Sequence, residues 1–194
     1  MSRAAKENFW PFFFSALLFL VFGTQAGLAA ESGGRIEEVV VANSSDHLLL
    51  YFKVADAVSE EMERGLASGL PLVMSVYVEL YSWSGGGAGR MIHRLERLSQ
   101  LSYDNLKDHY RVEVVGGDGP VQNTSSLERA RLLFSEISGL PLLPLSRLNG
   151  GGDYLLRIKA RLEEKSRPWS LGSIWPFGSL WGSETPWHET RFSY

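Results

Sequence analysis

The residues best suited to chemistry in this 194-residue chain are a glycine run, four histidines, adjacent acids and a tryptophan series. Gly85-Gly86-Gly87-Ala88-Gly89-Arg90 has the composition of a phosphate-binding loop. It lacks the lysine and hydroxyl of a P-loop and the spacing of a dinucleotide fingerprint, so a hairpin connection is the simpler expectation. Histidines 47, 93, 109 and 188 include no pair at metal-ligand spacing. No serine sits in a Gly-x-Ser-x-Gly elbow or a Ser-x-x-Lys pair, although a triad assembled from distant residues needs no such motif. Glu60-Glu61 and Glu163-Glu164 are neighbours; on a strand neighbours face opposite ways, and acids at a helix start are explained by the dipole. Asn43-Ser44-Ser45 and Asn123-Thr124-Ser125 match glycosylation sequons, which mean nothing if the source is bacterial. No cofactor is expected from these patterns, and no enzyme.

The tryptophans are different. Trp169, Trp175, Trp181 and Trp187 recur every six residues within a stretch rich in Gly, Ser and Pro. An even spacing on an extended chain puts all four rings on one side, so the segment is expected to lie across a sheet as a strap. Plugging a core is the plain role for such rings. Partner contact is the functional one, and Trp175, Phe177 and Trp181 are the candidate contact residues, because the surrounding Gly and Pro limit regular pairing.

The absence of cysteine excludes disulfides, thiol catalysis, cysteine-ligated metal and a lipoprotein anchor. Residues 1–30 have the parts of a secretory signal. Arg3 and Lys6 make a positive start, Phe12 to Phe22 an apolar core, and Gly27-Leu28-Ala29-Ala30 a small-residue cleavage region, with cleavage favoured just before Ala30 or Glu31. The alternative is an uncleaved anchor, since no charge occurs from Asn8 to Ala30 and such a run just spans a bilayer. Either outcome places the remainder outside the cytoplasm, periplasmic or exported, with membrane contact only if the segment is retained. Of the 19 basic and 22 acidic residues, 17 and 21 remain without Arg3, Lys6 and Glu7, a balance that offers no field for nucleic acid.

Elements must position whatever site exists, and the pattern is that of strands. Leu72, Met74, Val76, Val78 and Leu80 alternate with Ser75 and Glu79; Leu48, Leu50, Phe52 and Val54 alternate with His47, Tyr51 and Lys53. Ile36–Val41 precedes the second run, and Asn43-Ser44-Ser45-Asp46 makes a hairpin turn between them. Tyr110–Val114 and Leu156–Glu163 also present one wet face, which predicts antiparallel pairing. Met91–Leu101 fits an exposed helix or an edge strand, with Leu95, Leu98 and Leu101 every three residues.

Two short helices interrupt the strands. Ser59–Ser68 carries Val58, Met62 and Leu66 as its stripe; the second opens with a capping box of Ser125 and Glu128 and presents Leu127, Ala130, Phe134 and Ile137. The same five residues follow each, Ser68-Gly69-Leu70-Pro71-Leu72 and Ser138-Gly139-Leu140-Pro141-Leu142. Glycine caps explain this more simply than an internal duplication. The expectation is a mainly β domain over 31–167, an antiparallel sandwich or curved sheet with two short helices, closed by the strap of residues 168–194.

Ala67-Ser68-Gly69-Leu70-Pro71-Leu72 entering a long strand, Leu101-Ser102-Tyr103-Asp104-Asn105-Leu106 before Tyr110-Arg111-Val112, and the tryptophan-rich end together resemble the proteobacterial domain-of-unknown-function family 4390. The resemblance implies an exported bacterial envelope protein without assigned activity, in some lineages encoded beside a nitrogen-regulation type sensor kinase. It departs from the family at Ser84–Gly89, where an aromatic-acidic segment is expected, so no family role is carried onto that loop. The leading functional expectation is a non-catalytic module that binds an envelope or inner-membrane protein. An apolar or lipid ligand carrier, suggested by the many inward aliphatic residues, and an unrecognised hydrolase are the alternatives.

Overall fold

A computed structural model describes residues 34–117, 119–164 and 182–194. The expected export signal, and with it Trp169, Trp175, Phe177 and Trp181, lies outside the described residues.

The smaller of two sheets is built on the first hairpin. Strands β1 (Arg35–Asn43) and β2 (His47–Ala55) pair antiparallel, and the turn is tied by Ser44, whose N–H donates to His47 O at 2.9 Å while its Oγ accepts from His47 N at 2.9 Å. Alternation then buries Leu48, Leu50, Phe52 and Val54, as the period-two pattern requires. Strand β7 (Glu136–Pro144) takes the other side of β2. Here lies a correction. Ser138-Gly139-Leu140-Pro141-Leu142 does not follow a helix but runs inside β7, where Gly139 (φ +66°) forms a bulge opposite Tyr51. Pro141 and Pro144 are tolerated because β7 is an edge strand.

The first copy of that sequence is a helix cap. Helix α1 (Glu60–Ala67) starts at Ser59, whose Oγ accepts from Met62 N. It ends in a Schellman motif: Gly69 N–H donates to Leu66 O at 2.9 Å and Leu70 N–H to Gly65 O at 3.0 Å, with Gly69 at φ +86°. Identical residues therefore serve two purposes, since a left-handed glycine suits both, and no duplication is needed. Helix α2 (Leu127–Ser135) is capped by Ser126, which accepts from Arg129 N, one residue later than the capping box predicts. Ala130 and Phe134 are buried from it, whereas Ile137 enters the core from β7.

The larger sheet contains β3 (Leu72–Ser84), β4 (Gly87–Asp104), β5 (His109–Val114), β6 (Gln122–Thr124), β8 (Asp153–Glu164), β9 (Ser183–Glu184) and β10 (His188–Ser193). Its order is β10-β8-β3-β4-β5-β6, with β9 also on β8, and every pair is antiparallel. Gly85-Gly86 is the turn of the β3–β4 hairpin, as expected for that loop. Leu72, Met74, Val76, Val78 and Leu80 of β3 and Leu156, Ile158, Ala160 and Leu162 of β8 line one face, none more than 2 % exposed. They share a single core with the apolar side of the small sheet and with Met62, Leu66, Ala130 and Phe134 of the helices.

Met91–Leu101 belongs to β4. The strand pairs with β3 along its length but with β5 only from Ser99 to Asp104. Leu95 and Leu101 face the core side opposite Val78 and Leu72, while Leu98 faces outward opposite Ser75, because a spacing of three alternates faces on a strand. The last segment runs along β8. Between β9 and β10, Thr185 is buried and substitutes for a strand residue: its N–H donates to Ala160 O at 2.9 Å and its Oγ1 accepts from Ala160 N at 3.0 Å. Pro186, which has no N–H, follows where regular pairing is broken. Phe192 of β10 stacks 5.5 Å from Tyr154, and Tyr194 follows the strand with its N–H donating to Gly152 O at 3.0 Å.

Candidate functional site

The outer face of the large sheet carries the densest chemistry among the described residues. Strand registers place Glu189 of β10 beside Arg157 of β8, Arg157 beside Glu79 of β3, and Glu79 beside Arg94 of β4. The result is a row of alternating charge across four strands, and opposite charges directly across a sheet attract. Glu79 sits in its middle with only 5 % of its side chain exposed. Arg94 Nη2 lies 2.7 Å from Oε1, Arg157 Nη1 lies 3.7 Å from Oε2, and the Tyr81 hydroxyl donates to Oε2 at 2.8 Å. A carboxylate so far from water requires such donors. The hydrogen bond to Glu79 holds the Tyr81 phenol above its ordinary range, with burial adding to the effect. Arg157 also reaches Glu189, Nε to Oε1 at 2.9 Å, without the alignment of a hydrogen bond.

Aromatic rings extend this row on both sides. Trp187 has the Arg157 guanidinium 4.7 Å and the Lys159 ammonium 5.5 Å from its ring centre, and Lys159 is also ion-paired with Glu184. At the far end of β3, Arg191 lies 5.0 Å over the Trp83 ring. Tyr77 and Tyr81 fall between them on the same side by strand alternation. Cations over ring faces are attracted by the ring quadrupole, which holds both partners in place. Both oxygens of Glu79 are engaged, so its evident role is to fix Arg94, Arg157 and Tyr81 in register.

Of the expected contact residues, none can be placed, since Trp175, Phe177 and Trp181 fall outside the described residues. Trp187, the last of the series, does lie on the outer face. The row around Glu79 was not expected. Its local signal was a glutamate centred between Tyr77 and Tyr81 in a strand with a buried reverse side. The histidines occupy separate strands: His47 opens β2, His93 lies in β4, His109 opens β5 and His188 opens β10. Among the described residues, no group of three or more His, Asp or Glu side chains gathers where a metal ion could sit. The aliphatic residues that suggested a lipid carrier close upon one another in the core. A separate open groove of about 480 Å³ on the small sheet mixes Val40, Tyr51 and Leu132 with the charged Glu38, Lys53 and Glu136.

These features define an antiparallel two-sheet β domain with a closed core and an aromatic, cation-bearing outer face. The pattern of a family described as a domain of unknown function, DUF4390, matches residues 31–191, and the chain belongs to that family. No curated protein and no solved structure matches it.

Proposed function

We propose that this chain is an exported, non-catalytic module of the bacterial cell envelope that binds a protein partner through the outer face of its large sheet. The observation that carries this reading is the convergence of Trp83, Trp187, Arg157 and Arg191 on one face, with the arginines stacked on the rings. Trp, Tyr and Arg are the residues that dominate binding energy at protein interfaces. Rings and guanidinium groups already held in place lose little freedom on binding, which favours affinity. The export reading comes from residues 1–30, and the family resemblance makes the outer part of a nitrogen-regulation type sensor kinase the first partner to try.

The test is direct binding of the purified protein to that sensor segment, and capture from envelope extract, with the native chain, Trp187→Ala and Trp83→Ala. Loss of at least tenfold in affinity with either variant, at unchanged circular dichroism, supports the reading. Equal retention of every partner by all three chains overturns it. Intact mass of the envelope protein reads the amino terminus: a start at Ala30 or Glu31 supports cleavage, residues 1–29 retained make it an anchored protein, and a purely cytoplasmic location refutes export.

A further inference from the structure

Over residues 93–98, the side of strand β4 away from β3 pairs with no strand among the described residues. Leu98 is the last residue to use that side, its carbonyl accepting from Val115 N at 2.9 Å. Backbone groups repeat every two residues along a strand, so Glu96 and Arg94 turn their N–H and C=O the same way, toward no neighbouring strand among the described residues. Residues 93–98 pair with β3 without a bulge, giving a regular open edge about 20 Å long.

The side chains along this edge are mostly cationic, and its one carboxylate, Glu96, is exposed on the outer side opposite Tyr77. Arg97 points to the core side, opposite Val76, and its Nε is buried with no hydrogen-bond partner. Burial holds its guanidinium below the usual arginine range. Arg147 sits at the same edge, donating to Ile92 O at 3.2 Å, and burial, with a smaller part from the Arg147 charge, keeps His93 below the ordinary histidine range. Arg90 continues the series on the same strand. Arg94 differs, being matched by Glu79.

An inward-pointing charge is also a device that keeps edge strands from pairing. A protective cation is best left in water, where it keeps its hydration. Arg97 is instead partly desolvated and unmatched, an arrangement that an incoming carboxylate relieves. The unpaired backbone and the unpaired cation thus ask for the same ligand, a segment that supplies peptide groups and acid together.

We propose that residues 93–98 of β4 receive an extended acidic segment of a protein partner, which adds a strand to the large sheet and sets a carboxylate against Arg97. The outer face of the sheet is a separate site, and this inference does not rest on it.

Two synthetic nine-residue peptides test it, one alternating valine with glutamate and one alternating valine with lysine, each measured by fluorescence anisotropy and amide hydrogen exchange on the full protein. The glutamate peptide is expected to bind at least tenfold more tightly and to slow exchange at Arg94 and Glu96. Arg97→Glu is expected to invert the preference, and the milder Arg97→Gln to abolish it if the reversal disturbs folding. Trp187→Ala leaves both results unchanged, which separates this edge from the outer face. Absence of binding, equal binding of both peptides, or protection mapped elsewhere overturns the proposal. So does dimerisation of the protein alone through this edge, which would make the occupant a second copy.

Discussion

Replacing Glu79 with glutamine tests whether the charge row is held by its buried centre. When both partners of an ion pair are buried, removing one costs about 3–5 kcal/mol. Here the partners are less enclosed: Arg94 is 63 % exposed and Arg157 is 29 % exposed, with Glu189 as its second acid. Both regain solvent or an alternative partner, and glutamine still accepts a hydrogen bond. The loss should therefore approach that of one or two hydrogen bonds to a charged group, about 1–3 kcal/mol. For a domain of this size each kcal/mol lowers Tm by about 2–4 °C, so a fall of about 2–12 °C is expected. Urea unfolding of the native chain, Glu79→Gln, Arg157→Met and the double variant gives the coupling energy directly. Glu189→Gln is the internal control, because that carboxylate is 52 % exposed and an exposed pair contributes at most about 1 kcal/mol. The reasoning is refuted if Glu79→Gln costs no more than Glu189→Gln, or if Arg157→Met costs the same with and without the Glu79 carboxylate.

Two further expectations follow from particular contacts. His93 is held low first by burial and then by Arg147, so the unfolded chain takes up its proton before the folded one; its contribution to stability is complete above about 6.5 and is lost as pH falls through the folded value. His93→Gln should flatten that limb of the stability curve in urea midpoints measured from pH 5 to 7.5, and Arg147→Gln should raise the His93 midpoint in an NMR titration. Thr185→Val keeps shape but removes the acceptor for Ala160 N, leaving a buried N–H unmatched at a cost of about 1–3 kcal/mol, with faster amide exchange at Ala160 and recovery in Thr185→Ser.

Legibility in the sequence followed the range of the interactions involved. The buried faces of β2, β3 and β8 were readable because alternation is a property of each strand alone. The Asn43–Asp46 turn was readable for the same reason, since it closes within a few residues. Position 139 was not. Glycine there needs only a positive φ, and whether that ends a helix or bulges a strand depends on the arrival of Tyr51 from β2. The leucines of β4 left helix and edge strand open, because their spacing of three settles neither until β3 fixes the strand register.

The sequence by itself determined the antiparallel β character, the two helices and which residues of β2, β3 and β8 turn inward, because those follow from local sterics and periodicity. Only the tertiary structure decided the row from Glu189 through Arg157 and Glu79 to Arg94, and the open edge beside Arg97. Both depend on the registers of strands far apart in the chain. One residue of slip would turn Glu79 into the core and Arg97 out of it, and that choice is made by the packing of the whole apolar face.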